Sequence, residues 1–91
     1  MSELQIKLIV LGYVKDYERS YEYETYYLKH YKDFLTLHIN VEVDGYITHS
    51  YVESSRCVAC QQDIDNLQQA FNQLQKDLEV LKEYELVFWN I

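Results

Sequence analysis

The clearest pattern of hydrophobic and polar positions in the chain lies between Cys60 and Glu83. Apolar residues recur there at intervals of three and four, which places them on one stripe of a helix; they are Ile64, Leu67, Phe71, Leu74, Leu78 and Leu81. The remaining positions are mostly polar. We therefore predict a long amphipathic helix of about 36 Å, at 1.5 Å per residue, that buries this stripe.

Most of the remaining chain alternates with the period of two that is typical of strands. We predict strands at Leu4–Val14, Ser20–Leu28, Phe34–Val43, Tyr46–Glu53 and Leu86–Ile91, with a polar connection at Lys29–Asp33. The first and last strands are apolar on both faces, so we expect them to be interior neighbours. The predicted fold is α+β in one domain, residues 1–91: an antiparallel sheet of about five strands, in the sequence order β-β-β-β-α-β, with one long amphipathic helix packed on one face.

The strongest turn signal is Asp44-Gly45, because Asp-Gly favours a two-residue hairpin loop with positive φ at both residues. Such a loop would place Asn40 opposite His49 and His38 opposite Tyr51. A three-residue loop with a bulge would shift the register by one and bring His49 onto the apolar face. The sequence is compatible with both registers.

The charge balance narrows the range of partners. The chain has 15 acidic and 8 basic residues, a formal net charge of −7. Such a domain lacks the basic surface that holds phosphates, so we expect a basic protein as partner and no nucleic acid. The longest apolar run, Leu8–Leu11, is too short to cross a bilayer, and no signal segment opens the chain. We expect a cytoplasmic protein without a membrane partner. The negative net charge also has a simpler explanation, because many proteins are acidic for solubility alone.

Tyrosines cluster beside acidic residues early in the chain. Six of the ten tyrosines lie between Tyr17 and Tyr31, and the segment Asp16–Tyr27 holds four acids against one arginine. Tyrosine anchors interfaces at low entropic cost, and carboxylates steer basic partners. The predicted partner-binding residues are Tyr17, Glu18, Tyr21, Glu22, Tyr23, Glu24, Tyr26 and Tyr27. In the alternative interpretation, the tyrosines of this strand cover the core.

Cys57 and Cys60 form a CxxC motif at the start of the predicted helix. A helix N-terminus lowers a thiol pKa, as in thiol-redox proteins, and two histidines could complete a zinc site. The motif lacks the βαβ context of redox proteins, and no second pair of closely spaced ligands occurs. We expect no catalytic site, no metal and no cofactor, with a small thiol or zinc protein as an alternative.

The C-terminal half resembles small bacterial toxin-immunity proteins, including those of contact-dependent inhibition systems. The features that match are the strand Tyr46–Glu53, the long helix with its leucines, and the closing Leu86–Trp89. The resemblance implies a non-enzymatic protein that blocks a toxin, often a basic nuclease. A second resemblance, to small acidic phage proteins that mimic DNA charge, implies an anti-defence inhibitor of the DNA-mimic or anti-CRISPR type. A homodimer without a catalytic site is a third interpretation.

Overall fold

The computed structural model describes residues 1–85 and confirms the α+β class with a four-stranded antiparallel sheet. The elements are α1 (Glu3–Val10), β1 (Val14–Lys15), β2 (Glu24–Lys32), β3 (Leu35–Glu42), β4 (Ile47–Ser54), α2 (Gln61–Val80) and a 3₁₀ turn (Lys82–Tyr84). The strands lie in the sheet in the order β1-β2-β3-β4. The predicted closing strand Leu86–Ile91 lies outside the described residues.

The first element is a helix, so the predicted strand at Leu4–Val14 is wrong. Ser2 and Gln5 form a capping box in which the Ser2 hydroxyl accepts from the Gln5 backbone and the Gln5 side chain accepts from the Ser2 backbone. Leu4 and Leu8, one turn apart, are both buried. These local bonds and the burial of two leucines outweigh the β-favouring isoleucines of the segment.

Gly12 lies at the end of α1 and determines how the helix stops. The Gly12 N–H donates to the Ile9 carbonyl (2.9 Å) and the Tyr13 N–H to the Leu8 carbonyl (2.9 Å). This pair of bonds is a Schellman motif, and its glycine has the left-handed φ of +97° that the motif requires. The helix therefore stops here and the chain turns into the short strand β1.

The second predicted strand is displaced along the chain. Residues Ser20–Tyr23 form a turn, and β2 continues through Lys32, so the predicted polar connection at Lys29–Asp33 is mostly strand. Lys29 can occupy a strand that faces the helices because its ammonium lies 2.6 Å from the Asp77 carboxylate of α2. The sequence around Lys29 does not reveal this buried partner, because Asp77 lies on another element.

The β3–β4 hairpin combines the two registers that the sequence left open. Its loop has three residues, with Val41 opposite Ile47, and Gly45 has a positive φ (+88°) while Asp44 does not. The predicted two-residue turn is therefore wrong. A bulge follows at once and returns the pairing to Asn40 opposite His49, so His49 stays off the apolar face.

Both helices pack on one face of the sheet, and the core lies between them. From β3 that face receives four aliphatic residues, which meet Leu4 and Leu8 of α1 and Ala70 and Leu74 of α2; the four are Leu35, Leu37, Ile39 and Val41. Only part of the predicted α2 stripe is buried.

The buried side of α2 does not coincide with the centre of its apolar stripe but is rotated from it around the helix axis. Leu74 and Leu81 are buried as expected, whereas Ile64 is 50% and Phe71 44% exposed. Three polar residues are buried on this side of α2 instead, namely Asp63, Asn66 and Asp77. In residues 1–85 neither helix is long and apolar enough to span a bilayer.

Candidate functional site: the open face of the sheet

The face of the sheet opposite the helices, hereafter the open face, carries no helix within residues 1–85. In an antiparallel sheet, directly paired residues point to the same side. The register therefore places the even-numbered residues of β3 on the open face together with their neighbours on β2 and β4; they include Tyr26, Leu28, His38, Asn40, His49, Tyr51 and Glu53. This is a mixed aromatic and polar surface.

Three tyrosines form a cluster at one end of the open face. The Tyr21 ring makes edge-to-face contacts with Tyr23 (centroids 6.5 Å apart) and with Tyr26 (6.1 Å). The backbone of the turn is fixed, because Tyr21 and Glu24 exchange backbone hydrogen bonds and Val43 donates to the Tyr23 carbonyl at 2.9 Å. Tyr21 and Tyr23 are nevertheless more than half exposed. The cluster is a pre-organised aromatic surface.

Glu24 holds this cluster to the sheet. Its carboxylate accepts hydrogen bonds from the Thr48 hydroxyl (2.7 Å), the Tyr21 hydroxyl (3.2 Å) and the Tyr26 hydroxyl (3.3 Å). These donors, Thr48 above all, hold the pKa of Glu24 below its usual range. Glu24 is therefore ionised at neutral pH, and its charge lies among the tyrosines.

The centre of the open face consists mainly of polar side chains. The His38 ring, almost fully buried, stacks on Tyr51 with centroids 4.6 Å apart, and its Nε2 lies 3.1 Å from the Glu53 carboxylate. Arg19 reaches the same carboxylate at 3.8 Å. The Asn40 Oδ1 is buried without a hydrogen-bond partner in the described part of the chain.

The structure divides the eight residues predicted to bind a partner. Tyr21, Tyr23, Glu24 and Tyr26 come together as described, and Glu22 is exposed in the same turn. Tyr27 is only 4% exposed and belongs to the core, as the alternative interpretation expects for tyrosines of this strand.

Tyr17 and Glu18 are exposed but precede the cluster, in the turn after β1. The Lys15 ammonium lies 5.0 Å from the centre of the Tyr17 ring. Tyr17 also lines a shallow groove beside α1, together with Met1, Ile9 and Val14. It therefore belongs to a neighbouring apolar surface and not to the tyrosine cluster.

A cleft of about 380 Å³ lies on the helix-covered side of the sheet, between the start of α1 and the β3–β4 turn, and its edge at Glu22 is next to the tyrosine cluster. Its lining includes Glu22, Glu42 and Asp44, and none of these carboxylates forms an ion pair within residues 1–85. The tyrosine cluster thus lies beside uncompensated negative charge.

Sequence reasoning did not assign Arg19, His38, Tyr51 or Glu53 to a site. They come from β3, from β4 and from the turn after β1, and no local motif connects them. The hairpin register was the one available signal, since the two-residue loop alternative already placed His38 opposite Tyr51. A bulge that restores this register cannot be read from the residues of the loop.

The cysteines are free and exposed, and Cys60 is the N-cap residue of α2 without a side-chain cap bond. Among the described residues, no three His, Cys, Asp or Glu side chains are grouped to hold a metal ion.

The open face offers rigid aromatic rings and fixed carboxylates, which suit the binding of basic groups. Comparison of the chain with protein-family models, with curated proteins and with solved structures finds no match in any of the three.

Proposed function

We propose that the chain is a non-enzymatic, cytoplasmic, acidic binding protein that neutralises a basic protein partner, of the kind formed by toxin-immunity proteins and basic nuclease toxins. The observation that carries the proposal is the exposed cluster of Tyr21, Tyr23 and Tyr26, held in place by the ionised Glu24. The partner would contact the open face at this cluster and the acidic residues beside it.

The tyrosines supply the contact energy in this account. A tyrosine ring brings a large contact area and loses few rotatable bonds on binding, so tyrosines are frequent hot spots of interfaces. Here the cost is lower still, because ring-on-ring contacts and hydrogen bonds to Glu24 already restrict Tyr21 and Tyr26. Because these tyrosines are exposed and are held in place by contacts with one another and with Glu24, a role in binding explains them better than a role in stabilising the fold.

The exposed carboxylates attract a basic partner toward this surface. Glu18 and Glu22 are exposed, and Glu22 lines the acidic cleft. A nuclease carries a basic cleft for its nucleic acid, so an acidic surface that covers the cleft accelerates encounter and blocks substrate entry. The net charge of −7 acts in the same direction over longer distances.

The proposal is tested by identifying the partner and measuring its inhibition. The full chain is immobilised, proteins that bind from a bacterial lysate are identified by mass spectrometry, and each is purified and assayed for nuclease activity with and without the chain. We expect a basic protein whose nuclease activity falls stoichiometrically as the chain is added.

Two charge variants show whether the acidic turn that carries the tyrosine cluster is responsible. Glu18→Lys with Glu22→Lys should weaken inhibition at least about tenfold, whereas Asp65→Lys with Glu79→Lys on the exposed side of α2 should leave it unchanged. Each pair changes the net charge from −7 to −3. A partner that is acidic, or one inhibited equally by both variants, contradicts the proposal.

A further inference from the structure

A groove runs along the edge of the sheet between α1 and the segment that follows it. Its volume is about 590 Å³, within the range of roughly 300–1,000 Å³ that is usual for small-molecule sites. It lies at β1, the opposite edge of the sheet from β4, where Glu85 pairs with Ile47. Tyr21, Tyr23 and Tyr26 do not line it, so the groove is separate from the tyrosine cluster.

The two walls of the groove are consecutive segments of the chain that run in opposite directions. One wall extends from Met1 to Ile9 and contains most of α1. The other wall is formed by Tyr13, Lys15 and Tyr17, which alternate along an extended segment. The Schellman turn joins the walls after Ile9 and closes the groove there, whereas the other end is open. Both walls are about 12–13 Å long, at 1.5 Å per helical residue and 3.3 Å per extended residue.

The lining of the groove is mostly apolar, and much of it is in contact with water. Ile9 is 51%, Val14 58% and Tyr17 80% exposed. Tyr13 and Tyr27 are buried and form the base of the groove. Apolar side chains that are exposed together in a groove indicate a binding surface, whereas scattered ones are ordinary. The groove therefore offers an apolar surface to a ligand.

Lys15 provides the charge of the groove. Among the described residues that line it, Lys15 is the one charged side chain, so the groove differs in sign from the chain, whose net charge is −7. Its ammonium lies 5.0 Å from the centre of the Tyr17 ring, toward the open end, and forms no ion pair within residues 1–85. The adjacent Asp16 is engaged elsewhere, because its carboxylate accepts from the backbone N–H groups of Glu18 and Arg19 and lies 3.6 Å from the Arg19 guanidinium. The Lys15 ammonium is therefore available to an anionic group of a ligand.

The shape and the charge of the groove together define the class of ligand. Because the groove is closed after Ile9, a polypeptide could not pass through it, and the ligand must have an apolar end that stops there. Because one ammonium lies toward the open end, the ligand carries one anionic group at its other end. A linear acyl chain with a terminal carboxylate has both properties.

We propose that the groove binds a medium-chain fatty acid, with its methyl end against Ile9 and Tyr13 and its carboxylate paired with Lys15. Burial of the acyl chain against apolar side chains supplies the affinity. The ion pair at the open end selects a carboxylate over a neutral or a basic head group. This inference does not depend on the proposed basic partner, which would contact the tyrosine cluster.

Binding is measured by NMR titration of the full chain, labelled at its methyl groups, with octanoate below the concentration at which it forms micelles. Ile6 is the internal control, because it is 50% exposed on the same helix as Ile9 but does not line the groove. We expect saturable shifts of the Ile9 and Val14 methyl resonances and much smaller ones for Ile6. Equal shifts for Ile6 and Ile9, or no saturable shift, overturn the proposal.

The head group is tested by comparing octanoate with octanol and octylammonium. Because an exposed ion pair contributes modestly, octanoate should bind about two- to fivefold more tightly than octanol, and octylammonium should bind most weakly. Lys15→Gln should abolish the preference for octanoate, whereas Lys32→Gln, which removes an exposed positive charge at the end of β2, should retain it. A wild type that binds octanol or octylammonium at least as tightly as octanoate contradicts the proposal, as does a preference that survives Lys15→Gln.

The position of the acyl chain is tested by its length and by a charge at the closed end. From butanoate to octanoate, each added methylene should tighten binding about two- to fourfold, because each is buried against the lining. Ile9→Glu should raise the Kd of octanoate at least about tenfold, whereas Ile6→Glu should leave it nearly unchanged. Both side chains are half exposed, so both variants should fold, as judged by circular dichroism. An affinity independent of chain length, or equal losses in the two variants, would place the ligand elsewhere and overturn the proposal.

Discussion

The two faces of the sheet use charged and aromatic residues for different purposes. On the helix-covered face, Asp77 is almost fully buried and receives the Lys29 ammonium (2.6 Å), the Tyr13 hydroxyl (2.8 Å) and the Gln73 amide (3.0 Å). On the open face, Glu24 also receives several donors, but two of them are tyrosine hydroxyls of the exposed cluster.

The difference shows which polar groups serve the fold. The Asp77 group connects β2, α2 and the segment after α1, since Lys29 also donates to the Leu11 carbonyl at 2.9 Å. It places Asp77 against the sheet and thereby turns Phe71 outward. The Glu24 group fixes a surface and connects nothing in the core. Stability should therefore depend on the first group and binding on the second.

The largest effect on stability is expected from Asp77→Ala. Removal of one partner from a buried ion pair leaves Lys29 uncompensated and typically costs about 3–5 kcal/mol. Glu24→Ala should cost about 1 kcal/mol, because its partners can turn to water. Urea unfolding of both variants measures the difference. Equal losses would mean that the two faces contribute alike to the fold.

Two residues of the same apolar stripe should differ almost as much. Leu74 is 4% exposed, so Leu74→Ala should destabilise by about 2–5 kcal/mol, the usual cost of truncating a buried leucine. Phe71→Ala should lose about 1 kcal/mol or less, since nearly half of the ring is in water. Gln68→Ala, on the exposed side of α2, is the neutral control. A larger loss for Phe71→Ala would place the buried side of α2 elsewhere.

The helix-covered side should also show a specific acid sensitivity at the start of α2. Arg56 binds both Asp63 oxygens at 2.8 Å and the Ala59 N–H donates to one of them, which holds the pKa of Asp63 well below its usual range. A carboxyl with a lowered folded-state pKa stabilises the fold above its unfolded pKa of about 3.9, and this contribution disappears as pH falls through the folded value. Asp63→Asn should therefore be less stable than the wild type at pH 7, and the difference should narrow below about pH 4. Urea unfolding across pH 2–7 measures it, and a constant difference would contradict the ion pair.

The smallest effect is expected in the tyrosine cluster. Tyr23 is 62% exposed, so Tyr23→Ala should change the free energy of unfolding by no more than about 0.5 kcal/mol. The same variant should dissociate from the partner faster, because anchor residues determine residence time. A thermal melt that falls well below that of the wild type would mean that the cluster supports the fold.

Local patterns predicted much of the fold. The alternation in Phe34–Val43 indicated β3, whose four alternate aliphatic residues are buried, and the three–four spacing indicated α2 within a few residues of its observed ends. The capping box of Ser2 and Gln5 was also readable, although the apolar alternation of the same segment favours a strand.

Long-range polar contacts explain most of what the sequence did not reveal. Lys29 belongs to a strand because Asp77, 48 residues later, neutralises it. Because Asp77 contacts Lys29 on the sheet, the buried side of α2 does not coincide with its most apolar side. The tyrosine cluster was predicted in outline, but the burial of Tyr27 follows from its pairing with Ile39, which no local pattern specifies.

The most direct test is the association rate with the captured basic partner, measured by surface plasmon resonance at several salt concentrations. The Debye length falls from about 10 Å at 0.1 M to about 3 Å at 1 M, so a steered association should slow steeply. Glu18→Lys with Glu22→Lys should slow it at low salt, whereas Asp65→Lys with Glu79→Lys should have little effect. If the α2 pair slows association and the Glu18/Glu22 pair does not, or if neither pair nor salt changes the rate, the turn that carries the tyrosine cluster is not the binding surface.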